Sequence, residues 1–257
     1  GTAAWITMGA FDRIFAKKVD SEADPVAVTP EWQRGRMPAI DGGILAYQGK
    51  PAMECGDDSG DFSEIWYIDL NTDSKKAVQL TSNLDNDVWP AVDKANGIIA
   101  WKNEDESTYH FATIPDGTVY DIDDEIYADC KPDLEDGKIL MRDNSYDVWV
   151  YDVVSNVYTF VTGGDIDVYY KPEISEGIVL LLGYDGDYNL YYYDLNSPED
   201  GLVQATDELL GNEDGWNVNI SAGKVVFQGQ SPAGSSTDAI YVYNIGDPMD
   251  SVEEIFT

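Results

Sequence analysis

The sequence predicts an all-β chain of six short antiparallel units, arranged as a six-bladed β-propeller of four-stranded blades, the first lacking its innermost strand. Three observations carry this. A proline-led unit recurs at 40 to 52 residues, a glycine turn follows each copy, and an aromatic strand ending in Asp or Asn comes next. Four short strands repeated at that spacing are the pattern of a propeller, whereas a β-helix needs shorter rungs and a sandwich has no reason to repeat one unit.

The first strand of each unit is read from Met37-Pro38-Ala39-Ile40, Trp89-Pro90-Ala91-Val92, Lys131-Pro132-Asp133-Leu134 and Lys171-Pro172-Glu173-Ile174, with Val218-Asn219-Ile220 lacking the proline. Gly43, Gly97, Gly137, Gly177 and Gly223 then open apolar runs such as Ile178-Val179-Leu180-Leu181. Strand, tight turn, strand is the simplest reading.

The third strand alternates aromatics with period two, as in Ile65-Trp66-Tyr67-Ile68-Asp69-Leu70 and Leu190-Tyr191-Tyr192-Tyr193-Asp194-Leu195. Its Asp is placed to accept from amides of the following turn. A shorter fourth strand ends in Thr at Thr81, Thr162, Thr206 and Thr257. Residues 1–36 fit the scheme without an opening strand. The units run 1–36, 37–88, 89–128, 129–170, 171–217 and 218–257, as a single domain over 1–257. The missing strand leaves an open edge, to be met by a neighbouring molecule in a homo-oligomer, by a preceding segment, or by water.

These residues together, P-x-(aliphatic)-x-x-G, then (aliphatic)-Y-x-Y-D, then a strand ending in Thr, resemble the TolB-like β-propeller repeat of archaeal and bacterial cell-surface and secreted proteins, over Met37 to Thr257. The resemblance implies an extracellular or cell-surface setting, contacts with other macromolecules, and no shared catalytic residue.

Composition narrows the partners. With 49 Asp and Glu against 15 Lys and Arg the formal charge is −34, which repels phosphate backbones, and no basic run offsets it. Nucleic acid is excluded as a partner. Acids spread along the whole chain point to a solvated surface in a saline, halophilic habitat or to calcium. The longest aliphatic run is Ile178 to Leu182, far short of the ~18 residues of a membrane helix, so no membrane insertion is expected. Cys55 and Cys130 are too widely spaced for a CxxC motif and are either two buried thiols or a disulfide.

The second repeat carries Tyr109-His110-Phe111-Ala112-Thr113-Ile114 in place of the Asp-ending strand. His110 is the only histidine, so metal sites built on several histidines are excluded and a Ser-His-Asp relay would rest on it alone.

Ligand-binding residues are sought in the connectors between blades, which share an end of the blades with the loops joining strands two and three. Aromatics there stand beside charges: Trp32, Arg34 and Arg36, then Asp87 and Trp89, Asp129, Tyr170 and Trp216. Aromatic rings beside carboxylates suit sugar or peptide, though edge aromatics also pack between blades. In the loops themselves Asp185, Asp187 and Asn189 offer oxygens at alternate positions, a spacing suited to Ca2+, without the distal Glu of an EF-hand. The functional expectation is a non-catalytic protein- or polysaccharide-binding scaffold at the cell surface, not an enzyme. The alternatives are a propeller glycoside hydrolase with a carboxylate pair at the channel mouth, or a structural subunit of a surface array or filament.

Overall fold

Tight turns set the repeat. Four sheets join their first two strands through two residues at positive φ: Gly42 and Gly43 (51° and 86°), Asp136 and Gly137 (49° and 72°), Glu176 and Gly177 (53° and 79°), Ala222 and Gly223 (51° and 70°). This is the pattern of a type I′ hairpin turn, which matches strand twist and favours Gly. At Gly177 a Cβ would also lie 2.7 Å from the Asn196 amide nitrogen.

The structure is a computed structural model and describes residues 2–7, 12–19, 22, 24–29, 31, 33–51, 62–122, 126–162, 166–206, 218–230, 238–248, 251 and 253–256. Six antiparallel sheets follow one another along the chain. The first has three strands, β1 (Thr2–Thr7), β2 (Arg13–Lys18) and β3 (Val26–Ala27), as expected. The second holds β4 (Gln33–Asp41), β5 (Ile44–Pro51), β6 (Glu64–Asp69) and β7 (Val78–Gln79); the third holds β8 (Asp87–Asp93), β9 (Ile98–Asn103), β10 (Thr108–Thr113) and β11 (Thr118–Asp121). The fourth comprises β12 (Asp133–Glu135), β13 (Lys138–Arg142), β14 (Val148–Asp152) and β15 (Val157–Phe160). The fifth has β16 (Glu173–Ser175), β17 (Ile178–Tyr184), β18 (Tyr188–Asp194) and β19 (Leu202–Gln204), and the sixth β20 (Val218–Ser221), β21 (Lys224–Gln230), β22 (Asp238–Asn244) and β23 (Glu253–Phe256). Among the described residues no helix is long and apolar enough to cross a membrane.

The chain divides into two compact units, Gly1–Gly137 and Lys138–Thr257. Within the first, one buried cluster (Ile14, Leu45, Tyr47, Ile68) lies between the first and second sheets, and another (Ile44, Ile65, Ile99, Trp101) between the second and third. Within the second, Leu140, Val150, Val179 and Tyr191 join the fourth sheet to the fifth, and Leu182, Leu190, Val225 and Phe227 join the fifth to the sixth. The period-two alternation of each strand thus buries side chains on both sheet faces.

The fourth strands are shorter than the sequence pattern suggests, for a definite reason. In four sheets backbone pairing ends just before a Thr, whose hydroxyl accepts from a third-strand amide: Ile14 to Thr29 (3.1 Å), Ile65 to Thr81 (2.9 Å), Val148 to Thr162 (3.3 Å) and Leu190 to Thr206 (2.9 Å). Three of these hydroxyls in turn donate to the residue before that amide, Glu64, Asp147 or Asn189. The Asp ending the third strand accepts from the next turn, Asp69 from Asn71, Asp152 from Val154 and Ser155, and Asp194 from Asn196. In β4 and β8 the X-Pro steps cannot supply a ladder N–H, so register shifts there, leaving Met37 and Trp89 at φ of 46° and 55°.

Candidate functional site

The connectors between sheets are held against the loops joining strands two and three. In the first unit Glu104 donates its amide to Asn86 and Ala128 to Ser107. In the second, Val168 donates to Tyr146, and Asp167 and Tyr184 exchange amide bonds at 3.1 and 2.8 Å. The connector after β15 is thereby pinned between two such loops.

That pinning gathers five tyrosines. Tyr169 lies 4.7 Å from Tyr146, 6.0 Å from Tyr184 and 6.3 Å from Tyr188, measured between ring centroids, and Tyr170 lies 6.1 Å from Tyr188. Tyr146 and Tyr169 are 37% and 38% exposed, so the cluster presents ring surface to solvent. The buried Arg142 donates to the Val168 carbonyl at 3.0 Å and places its guanidinium over the Tyr146 ring, fixing loop and connector together. Tyr169 gives its hydroxyl proton to Asp167 at 3.2 Å, a bond that raises the phenol's pKa above its ordinary value. Of this group Tyr170 is the residue that the connector chemistry singled out, while Tyr146, Tyr184 and Tyr188 each flank an acidic loop.

The calcium-spaced residues are placed differently from one another. Asn189 is buried in β18, its side-chain oxygen accepting from Thr206, and Asp185 accepts from the Tyr191 hydroxyl at 2.9 Å. Asp187 is exposed. Among the described residues no three His, Cys, Asp or Glu gather closely enough to hold a metal ion. Asn189 serves the Thr bridge.

In the first unit Asp87 is 1% exposed and accepts from the Trp101 indole (3.0 Å), Asn103 (3.2 Å) and Asn83 (3.0 Å). Burial pushes its carboxyl above the ordinary range against the pull of those bonds. Glu64, bonded to Thr81 at 2.6 Å, is raised likewise, first by burial and further by the charges of Asp87 and Asp85. The Asp87 carboxylate is thus turned into the fold. Trp89 is half-buried beneath the Lys102 ammonium, 5.2 Å from its ring centroid. Asp129 is half-buried in the following connector beside Cys130, whose sulfur packs near Tyr109 and the Lys131 carbonyl. Arg34 and Arg36 line a cavity of about 310 Å³ with Gln48 and Lys50. Trp32, Trp216 and Cys55 lie outside the described residues.

His110 stacks on Trp101, its Nδ1 2.9 Å from Asp121 and its Nε2 2.8 Å from the Thr108 hydroxyl. The order hydroxyl, imidazole, carboxylate is that of a nucleophile relay, but all three residues belong to β10 and β11, and none is among the described residues lining the cavity beside Arg34.

No family model and no curated protein sequence matches the chain. Solved structures do. Puromycin hydrolase aligns with a TM-score of 0.69 at 12% identity, over 95% of this chain and 42% of that one. Acylaminoacyl peptidase from Pyrococcus horikoshii gives 0.65 at 10% identity over 100% of this chain and 43% of its own, and TolB from Acinetobacter baumannii 0.56 at 12% over 95% and 61%. The fold is a six-bladed β-propeller. At such identities the likeness is one of fold, and the chain spans less than two thirds of each of these proteins. TolB among them agrees with the TolB-like character of the repeats. The expectation that the chain is not an enzyme is corrected by the same comparison. Nearly all of this chain superimposes on part of a hydrolase and of a peptidase, so the propeller gives no ground for excluding catalysis.

Proposed function

We propose that this propeller binds an extended, cationic segment of polypeptide at the cell surface, with the tyrosines around Tyr169 as its contact surface. The observation that carries the reading is the packing of Tyr146, Tyr169, Tyr184 and Tyr188 about one connector, with Tyr146 and Tyr169 open to solvent. Tyrosine gives large contact area at low entropic cost and dominates binding hot spots. Asp167 beside the rings and a chain charge of −34 favour Lys and Arg in the partner, through carboxylate attraction and cation–π contact. Polypeptide is preferred over polysaccharide because the rings are tilted or edge-on to one another rather than forming one flat face.

The test is calorimetric titration with Lys/Arg-rich peptides and with neutral oligosaccharides at about 0.15 M salt. Peptide binding that weakens at least about tenfold in Tyr169→Ala and Tyr146→Ala, with folding retained, supports the reading. Saccharide binding lost in the same variants replaces polypeptide by polysaccharide, and no binding of either kind removes the site.

A second reading is favoured by the lengths of the peptidase matches, of which this chain spans 42 and 43%. In it, the propeller is the substrate-admitting part of a larger hydrolase. Hydrolysis of aminoacyl substrates by the longer gene product, absent from the propeller alone, is the result expected of it.

A further inference from the structure

We propose that the outer edge of β11 is a docking strand for an extended polypeptide segment in which Lys or Arg alternates with aliphatic residues. The edge belongs to the unit Gly1–Gly137, whereas the tyrosine surface lies in Lys138–Thr257, so the two sites stand on separate observations. β11 ends a sheet whose order is β11-β10-β9-β8, and among the described residues no strand pairs with its far side.

Exposed strand edges invite pairing, and proteins guard them by shortness, charge, proline or bulges. Most outer strands here are so guarded. β3 and β7 have two residues each, β19 has three and follows the short turn begun by Pro198, and β23 carries Glu253 and Glu254 beside a break in register. β15 is half-buried at its two central residues. β11, Thr118-Val119-Tyr120-Asp121, is regularly paired and exposed at all four positions.

The phase of the ladder fixes which groups face outward. Ile122 donates its amide to the Tyr109 carbonyl at 3.0 Å, which makes Tyr109 and Ile122 a bonded pair. Bonded and non-bonded pairs alternate along an antiparallel ladder. His110 with Asp121 and Ala112 with Val119 are therefore non-bonded pairs, and the N–H and C=O of Val119 and of Asp121 point away from β10. An added strand meets two donors and two acceptors in line, the geometry of strand addition.

Charge decides the occupant. The Asp121 side chain is 77% exposed and meets His110 Nδ1 through one oxygen at 2.9 Å. Asp116 precedes the strand, and the sequence runs on into Asp123, Asp124 and Glu125. A second copy of a chain carrying −34 brings repulsion to this edge, whereas a cationic segment is drawn to it. On the added strand a Lys or Arg stands opposite Asp121. Two residues along, an aliphatic side chain stands opposite Val119, on the same face as His110 and Ala112, and the residue between them shares the Tyr120 face.

The experiment titrates the protein with a Lys-Val-Thr-Val-Lys peptide, acetylated and amidated at its ends, at about 0.15 M salt, and follows amide hydrogen exchange by NMR. The peptide protects the Val119 and Asp121 amides, and Tyr169→Ala leaves that protection unchanged. Val119→Pro removes an outward N–H without taking a bond from the β10 ladder, and Asp121→Lys reverses the charge while keeping the backbone. Each weakens binding about tenfold, with folding confirmed by circular dichroism. The same peptide methylated on every backbone nitrogen does not bind. Equal binding of the methylated peptide or of a Glu-for-Lys peptide, unchanged affinity in both variants, or protection at other amides alone overturns the proposal. Protection of Val119 without peptide, in a dimer seen by light scattering, overturns it by giving the edge to a second copy.

Discussion

Trp101 donates its indole N–H to the carboxylate of Asp87 at 3.0 Å, and both residues are 1% exposed. A buried carboxylate needs such donors, because desolvation is recovered only through hydrogen bonds. Trp101→Phe keeps most of the ring but removes the donor, and is expected to cost about 1–3 kcal/mol in urea unfolding near neutral pH. Burial already holds the Asp87 carboxyl above its ordinary range, so the deficit narrows as the medium is acidified and the group takes up a proton. A deficit that stays constant with pH would assign the loss to packing alone.

Glu64 is expected to limit stability at neutral pH. Its pKa is raised in the fold, so its contribution is fully present below the ordinary carboxylate value and is lost as pH rises through the raised one. Glu64→Gln retains an oxygen to accept from Thr81 and removes the charge beside Asp87. The variant should melt above the parent at about pH 7 and converge with it at about pH 4, near the ordinary Glu value. Scanning calorimetry across that range decides, and a variant less stable at pH 7 sinks the argument.

Thr206 tests the hydroxyl bridge that ends the fourth strands. Thr206→Val is nearly isosteric, but it leaves the Leu190 amide without its acceptor inside a buried strand. A loss of about 1–3 kcal/mol is expected, with binding by the tyrosine surface unchanged. The same change at Thr81 should cost more, since the proton it removes goes to the Glu64 carboxylate at 2.6 Å, whereas that of Thr206 goes to the neutral Asn189 amide at 3.4 Å.

A formal charge of −34 imposes self-repulsion that salt screens. Raising NaCl from about 0.05 M to about 1 M should lift the melting temperature by several degrees. Because Asn189 and Asp185 are occupied by Thr206 and Tyr191, calcium at micromolar levels should add nothing to that shift. A micromolar calcium response would show that the loop rearranges around the ion.

Much of the fold is legible in local chemistry. The glycine after three of the four proline-led strands, Gly43, Gly137 and Gly177, marks a turn with two positive φ values, the Asp ending the third strand reaches the next turn's amides, and the aromatic alternation matches the pleat. The repeated Thr is visible too, but its role is not, since a strand-forming residue and a hydroxyl bridge look alike in sequence. The connector aromatics were equally visible; what separates Tyr169, open to solvent, from the half-buried Trp89 is only what packs above each ring.

The sequence by itself determined the six units, their strand order and the three strands of the first, because turn geometry and period-two burial act between residues close in the chain. Only the tertiary structure decided which polar and aromatic groups stay available. Asp87 and Asn189 were drawn inward by donors from other strands, while Tyr146, Tyr184 and Tyr188 were brought to Tyr169 by a connector pinned between two loops. The strand pattern is short-ranged, whereas burial and convergence arise from packing between segments far apart in sequence.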